Sequence, residues 1–504
     1  MKGRAAKSLN NIIFGFISKL ITTLFPFVIR SLFIKKIGVE CLGLGNLCVS
    51  ILGVLNLADL GFSGVIVYFM YEPVEKGDKS LLGALLNYFK KIYYVVGTVI
   101  LFSGLVLMPF LRFFIHGEPP ANINIYLIYT LYLLNSVVSY FVFAYKSSLL
   151  NVYQRLDIES KLASIVSIAT YILEFCIVVF LGNYYFYVLV LPVSAICLNL
   201  IRSKIIDKLY PDIKCSGELV KEKRIDIRKK VISTFFFKID SVVIKMADSI
   251  VISAFLGLVT LAKYNNYFLI LTSIVGFLDV IQNSIRPAVG NSIVAETMEK
   301  NYEDMKFIMF IYAGILTVCG SCFLCLYQPF IKLWLGEEFL LPFSTVLLFI
   351  VYFYAWEFCI PVNIYKDAHG FWDKDRWRPL VEAPFNLILN IILVKTIGLN
   401  GVLISTIVTF LLITFPTVYY VMTKYYFEHK LFNITMKTML YIFVAICINT
   451  LCWFCCNLIT NEGILSFIIR MFIALILSSS LFVLLFCKTK QFKKINLYIK
   501  QVIK

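Results

Sequence analysis

Apolar residues in this chain run in long blocks separated by short polar clusters. Blocks of about 18 to 25 residues, the length of helix that crosses ~30 Å of hydrocarbon, lie near 11–33, 41–70, 92–114, 123–145, 162–181, 184–201, 231–256, 264–290, 307–327, 341–360, 380–397, 400–421, 438–459 and 464–487. Fourteen blocks predict fourteen transmembrane helices. Composition closes off the alternative of a soluble protein. Of the 504 residues 60% are hydrophobic and 15% charged, too few charged side chains to cover a globular surface. The fold class expected is an all-α polytopic membrane protein.

The net charge of +17 is first a topology signal. An even number of spans puts both termini on one side. With the N-terminus (Lys2, Arg4, Lys7) in the cytoplasm, 36 of the 47 Lys/Arg fall on cytoplasmic segments and helix ends, against 18 acidic residues there. Outer segments hold 7 basic and 5 acidic residues. The excess therefore reports orientation and says little about substrate. The apolar stretch after residue 10 contains Lys19 and Pro26 and has no small-residue cleavage site, so it reads as a first span and not as a cleaved signal. Outer loops of a dozen residues leave no room for an extracellular domain.

The largest inner loop, residues 202–230, carries ten Lys/Arg and follows the sixth span, as a hinge between two six-helix halves would. Sliding the chain along itself until Phe16 meets Phe235 also lays Lys19 on Lys238, Gly38 on Gly257 and Asn46 on Asn265. That register pairs span one with span seven, as a parallel repeat requires. The expected organisation is an N-lobe over 1–230, a C-lobe over 231–436, and an appended pair of spans with a basic tail over 437–504.

A charge at the bilayer centre costs about 2.5 to 3.5 kcal/mol, so intramembrane charges generally face a cavity or one another. Here they include Lys19, Lys238, Lys245 and Arg470 against Asp59, Glu174, Asp240, Asp248, Asp279, Glu357 and Glu382. On the seventh span Lys238, Lys245 and Asp248 share an arc of about 80°, with Asp240 at its margin, while the rest of the helix is apolar. Such a helix suits a water-filled cavity. Lys19 occupies the repeat position of Lys238, and Arg30 lies three helical turns further on nearly the same face. Lysine and arginine on facing helices suit a phosphate or pyrophosphate, arginine through bidentate hydrogen bonds and lysine as a point charge. Alternatives stand beside each assignment: Lys245 and Asp248 form a self-neutralising i,i+3 pair; Arg30, Arg470, Glu357 and Glu382 reach an interface; Asp59 makes a helix–helix hydrogen bond.

Other chemistries find no support in the pattern. Cys319, Cys322 and Cys325 sit in an apolar helix without the loop that lets thiolates converge on a cluster. His116, His369 and His429 are scattered, so no metal site is indicated, and no phosphate-binding G-x-x-x-x-G-K-[ST] run exists. No cofactor and no nucleic-acid partner are expected; basic loops near a bilayer answer to anionic lipid.

The stretch 30–64 (RSLFIKKIGVECLGLGNLCVSILGVLNLADLGFSG) resembles the opening of Wzx-type oligosaccharide flippases, polysaccharide transporters of the MOP superfamily. The likeness recurs in DSIVISAFLGLVTLAKYNNYFLILTSIVGF from residue 248, RPAVGN from 286, FIKLWLG from 330 and EAPFNLILNIILVKTIGLNGVLIST from 382. The resemblance implies a MATE-like, V-shaped core of two pseudo-symmetric six-helix lobes with two extra C-terminal helices, working by alternating access and without catalysis. The substrate implied is an undecaprenyl-pyrophosphate-linked repeat unit of O-antigen, capsule or exopolysaccharide, moved across the bacterial cytoplasmic membrane, with a polysaccharide polymerase and chain-length machinery as partners. By the family pattern Lys19, Arg30, Lys238 and Lys245 map to substrate contacts, and Asp59, Asp240 and Asp248 to ion coupling. Two other readings are weighed. A cation-coupled multidrug exporter of the same superfamily calls for an acidic cavity and usually twelve spans; a polysaccharide polymerase calls for a large outer loop.

Overall fold

The computed structural model of the chain describes residues 21–56, 62–371, 374–427 and 431–495, with the side chains of 62, 63, 156, 232–245, 431 and 432 outside the description. Among the described residues every regular element is helical, and the chain has a polytopic membrane fold. Among the described residues ten helices are long and apolar enough to cross a membrane, or eleven if one bent pair forms a span. The difference from fourteen blocks has local causes. The first block begins outside the described residues, and the second divides into Val39–Leu55, only 17 residues long, and Phe62–Glu75. The seventh and eighth blocks follow one another in the helical run Lys221–Ala295, which is broken only at Gly257.

The chain forms two compact units, Met1–Ala262 and Lys263–Lys504. The first contains α1 (21–36), α2 (Val39–Leu55), α3 (Phe62–Glu75), α4 (Lys79–Leu107, continued by a 3-10 segment Met108–Phe114), α5 (Ile125–Phe141), α6 (Ser147–Val152), α7 (Leu156–Cys176), α8 (Tyr184–Leu209) and the first limb of α9 (Lys221–Ala295). Short polar side chains start the helices. Asp78 accepts from the Leu81 amide at 2.9 Å, Asn124 from Tyr126 and Leu127, and Asn183 from Tyr185 and Phe186, each satisfying amides that have no helical partner. Between α5 and the turn leading to α6 the path bends by 51°, at Phe143 in the left-handed region (φ 53°). Lys146, just beyond, fixes the bend on α8 through Asp207 at 2.7 Å and Ser203 at 2.8 Å.

The second unit contains the remaining limb of α9, then α10 (Met298–Trp334), α11 (Phe343–Glu357), α12 (Ile360–Ala368), α13 (Arg378–Ile397), α14 (Leu399–Thr409), α15 (Phe415–Met422), α16 (Leu431–Asn457) and α17 (Ile464–Phe486). Helix α10 anchors the C-terminal pair. Phe310 packs its ring against Phe482 (5.4 Å) and Phe486 (5.6 Å), and Ser321 donates to Asn449 at 2.7 Å. Near one end of α10 the FIKLWLG stretch closes on a satisfied polar core. Tyr267 donates to Gln328 at 2.8 Å and accepts from the Leu341 amide at 3.1 Å, while Gln328 donates to the Leu341 carbonyl. Many of the largest apolar side chains point outward, Phe113 and Phe180 being about four-fifths exposed, the inverse of a soluble core and the surface a bilayer covers.

The internal repeat has a backbone signature. Gly38 and Gly257 occupy the same repeat position, and both combine positive φ with extended ψ. The angles are φ 119°, ψ 154° at Gly38 and φ 85°, ψ 171° at Gly257, a conformation essentially restricted to glycine. Each breaks the path between two successive apolar blocks. A register one step longer aligns two further stretches. Pro109-Phe110-Leu111-Arg112 falls on Pro329-Phe330-Ile331-Lys332, each near the end of the third long helix of its half, and Tyr145-Lys146 falls on Tyr365-Lys366, both tyrosines being buried.

The contact boundary at Ala262 lies beyond the 202–230 loop because the first limb of α9 packs within the first unit. The carbonyl of Leu258 lies where a Cβ on Gly43 would sit, and Met246 Sδ closes on Gly53. Ser253 donates to the Phe114 carbonyl at 2.7 Å and accepts at its own carbonyl from the His116 amide at 2.9 Å. The obstruction at Gly43 is backbone and cannot swing aside. Gly43→Ala is therefore expected to destabilise the protein by about 1–3 kcal/mol, read as a lower melting temperature in detergent, whereas a melting temperature equal to wild type would show that α2 and α9 separate freely.

Candidate functional site

In the first unit a polar cluster collects in the wall formed by α1, α2, α5, α7 and α8. Phe33 on α1 places its ring against Tyr184 (5.4 Å) and Tyr187 (4.8 Å) of α8, and Phe25 stacks on Tyr171 of α7. These contacts hold α1 so that Arg30 comes close to Tyr187. Among the described residues the Nε and Nη2 atoms of Arg30 have no hydrogen-bond partner and are shut off from solvent, while the residue as a whole is half-buried. Glu174, 4% exposed, interacts electrostatically with the same Tyr187 and with Tyr171 and Tyr132. Tyr187 thus interacts electrostatically with both Arg30 and Glu174, and among the described residues these two form no ion pair. The hydroxyls of Tyr132 and Tyr184 converge over Gly45, 2.7 and 3.0 Å from the position a Cβ would take. Asn46 Nδ2 and Asn56 Oδ1 of the same unit are buried without a hydrogen-bond partner. A guanidinium without a carboxylate partner beside a tyrosine hydroxyl is chemically able to take an anion or an oxygen-rich group.

Of the residues expected to contact substrate, Arg30 is the one whose side chain the structure describes. Lys19 lies outside the described residues; Lys238 and Lys245 lie on α9, their side chains outside the description. Of the acidic candidates, Asp59 is outside the described residues, Asp240 is on α9 with its side chain outside the description, and Asp248 is 1% exposed among the buried Ser249 and Ser253. The sequence pattern marks Glu174 only as one intramembrane charge among several, and it passes over the tyrosines. Tyrosines in NYYFY, residues 183–187, are the expected mark of a membrane interface, and nothing in the sequence says that two of them turn inward.

The second unit holds a different polar assembly. Lys366 of α12 pairs with Asp375, which also accepts from Arg378 Nε at 3.1 Å; Arg378 Nη1 donates to Glu382 at 2.5 Å, and Glu382 accepts from Thr414. Along the same face of α13, at i+4 and i+8 from Glu382, Asn386 donates to Thr406 and Asn390 accepts from Ser405. The polar residues of the 382–406 stretch are therefore a ladder that locks α13 to α14. The expectation that Glu382 and Glu357 reach an interface fails, since they are 1% and 0% exposed, and for Glu382 the reason is that Arg378 and Thr414 supply its partners inside. Next to this network, outside the spans, burial against Tyr426 (3.8 Å) and Phe371 pushes the His369 pKa below its ordinary value.

Among the described residues, no group of three or more His, Cys, Asp or Glu is arranged to hold a metal ion. The architecture is that of membrane transporters and flippases. Over 94% of this chain and 99% of the other, it matches the lipid II flippase MurJ in an inward closed conformation, with a TM-score of 0.68 and 15% identity. It also matches MATE-family multidrug resistance transporters of the MOP superfamily, one inward-facing (TM-score 0.60, 14% identity, 82% of this chain and 97% of that one) and one outward-facing (0.54, 13%, 83% and 95%). The chain belongs to the polysaccharide biosynthesis protein family, whose profile matches residues 8–292, more than half its length. No curated protein matches it significantly.

The ion network makes a prediction of its own. Removing Asp375 leaves Lys366 and the Arg378 Nε without their shared carboxylate in a buried setting, a loss of about 3–5 kcal/mol. Asp375→Leu should lower the melting temperature markedly, and Lys366→Met combined with it should recover part of the loss; an additive double variant would show that the pair is uncoupled.

Proposed function

We propose that this protein flips undecaprenyl-pyrophosphate-linked oligosaccharide repeat units across the bacterial cytoplasmic membrane for surface polysaccharide synthesis, by alternating access and without catalysis. Membership of the polysaccharide biosynthesis protein family carries the reading. Likeness to a lipid II flippase over 94% of the chain supports a lipid-linked cargo, whereas the inward-facing MATE transporter accounts for 82%. The additional share is comparable in size to α16 and α17 with their loop, the extra pair that a twelve-span exporter lacks.

In this reading the lobes are residues 1–230 and 231–436, with 437–504 appended, and both termini are cytoplasmic. The cargo presents two phosphates, a sugar and an apolar tail. Arg30 is suited to the pyrophosphate because its Nε and Nη2 lack partners and a guanidinium offers a planar fork to phosphate oxygens. Lys19, Lys238 and Lys245 act beside it as point charges. Tyr132, Tyr184 and Tyr187 offer hydroxyls to the sugar, and the tail stays in the bilayer. Asp59, Asp240 and Asp248 are the proposed ion-coupling carboxylates, Asp248 being buried and so costly to leave charged during the cycle. A polymerase and its chain-length machinery receive the flipped units.

Deleting the protein should abolish surface polysaccharide and cause lipid-linked repeat units to accumulate on the cytoplasmic leaflet, with recovery on return of the wild-type chain. Arg30→Ala and Lys238→Ala should each reduce surface polysaccharide about tenfold or more, the scale of one lost charge-assisted phosphate contact, at unchanged membrane abundance. Normal polysaccharide in the deletion strain, with increased sensitivity to cationic drugs, would overturn the reading in favour of an exporter.

A further inference from the structure

The second unit contains a cavity of about 760 Å³ that the proposed transport site does not use. It lies where the end of α10 meets the start of α11 and the loop joining α16 to α17. Its volume falls within the ~300–1,000 Å³ of small-molecule sites. Apolar walls come from Leu324, Leu333, Phe343, Trp453 and Phe467, with Trp453 stacked on Phe343 at 5.6 Å.

Its polar lining is unequal in charge. Lys332 is neutralised at the rim by Glu462 and Glu337, which leaves Glu462 committed. Arg470 also lines the cavity, and among the described residues no carboxylate lies within ion-pair distance of it. Its Nη2 donates to the Ile459 carbonyl at 2.7 Å, and its Nε is buried with no hydrogen-bond partner. Gly463 and Ser466 line the same space at the opening turn of α17, a helix of 23 residues whose first amides carry no side-chain cap. A guanidinium with no carboxylate partner among the described residues, lining a cavity that the uncapped first turn of a long helix also lines, is a setting for a phosphate.

We propose that this cavity binds the phosphate-bearing head of an anionic bilayer lipid, the phosphate between Arg470 and the first turn of α17 and the upper acyl chain along Phe343, Trp453 and Phe467. The lining decides between a lipid and a free phosphate. A free anion would contact one corner and leave the apolar walls unfilled, whereas a lipid satisfies both parts. The site is independent of the transport proposal, because it is built by α10, α16 and α17 and involves neither Arg30 nor α9.

Native mass spectrometry of the full-length purified protein, offered equal amounts of dioleoyl phosphatidylglycerol and dioleoyl phosphatidylcholine, tests it with matched acyl chains. Wild type should retain the anionic lipid preferentially. Arg470→Gln should cut that preference about tenfold, the scale of one charge-assisted hydrogen bond, while Arg470→Lys keeps most of it. Asn461→Asp, an exposed position in the loop between α16 and α17, should weaken the preference by placing a like charge at the rim, and so tests the site even if Arg470→Gln does not fold. Equal retention of both lipids by wild type overturns the proposal, as does wild-type preference in both Arg470→Gln and Asn461→Asp. Thermal stabilisation by inorganic phosphate equal to that by the anionic lipid overturns it in favour of a free-anion site.

Discussion

A polar side chain within hydrocarbon has no water to bond to, so it must find its partner inside the protein or be kept for something that enters. This constraint organises the second unit. Glu382, Asn386 and Asn390 occupy one face of α13 at helical spacing, and the hydroxyls of Thr414, Thr406 and Ser405 answer them from the α14–α15 segment. Arg378 and Asp375 tie the end of that ladder to Lys366 on α12. Helices that lack a hydrophobic drive toward one another in lipid are held by such bonds and by close approach of small residues. Gly43 against the Leu258 carbonyl is the corresponding device in the first unit.

Where the constraint is not met internally, function is the economical explanation. Among the described residues the Arg30 guanidinium has two buried nitrogens without a hydrogen bond, in a wall with Tyr132, Tyr184 and Tyr187, the last of which also interacts with Glu174. A structural arginine would be paired as Arg202 is, with Glu159 at 2.5 Å and Asn199 at 2.7 Å. The two arginines of one unit differ in that Arg202 is ion-paired to Glu159 whereas, among the described residues, Arg30 has no carboxylate partner, and the proposed role of Arg30 rests on that difference. The same contrast separates Lys332 from Arg470 around the second-unit cavity.

The repeat rests on few positions. Between the halves few identities persist, but they fall where geometry admits few residues: Gly38 and Gly257 at positive φ, and the buried Tyr145 and Tyr365, each followed by a lysine. The two lysines then diverge in partner. Lys146 reaches Asp207 on a distant helix, and Lys366 reaches Asp375 nine residues on. The anchoring charge is kept while its counter-charge moves, as expected if a lysine withdrawn from water demands a carboxylate but not a particular one.

By itself the sequence determined the class, the number and rough limits of the apolar blocks, the charge bias along the chain and the register of the repeat. All of these follow from properties that are local or periodic: helix length against bilayer thickness, and glycine at forced turns. Tertiary structure alone decided which intramembrane charges find a partner inside the protein. Glu382 and Arg30 look alike in sequence, each a charge near one end of an apolar block, and NYYFY reads as an interface belt until Tyr184 and Tyr187 turn inward against Phe33. The cost or use of a buried charge depends on what faces it from another helix, and that neighbour can lie more than a hundred residues away.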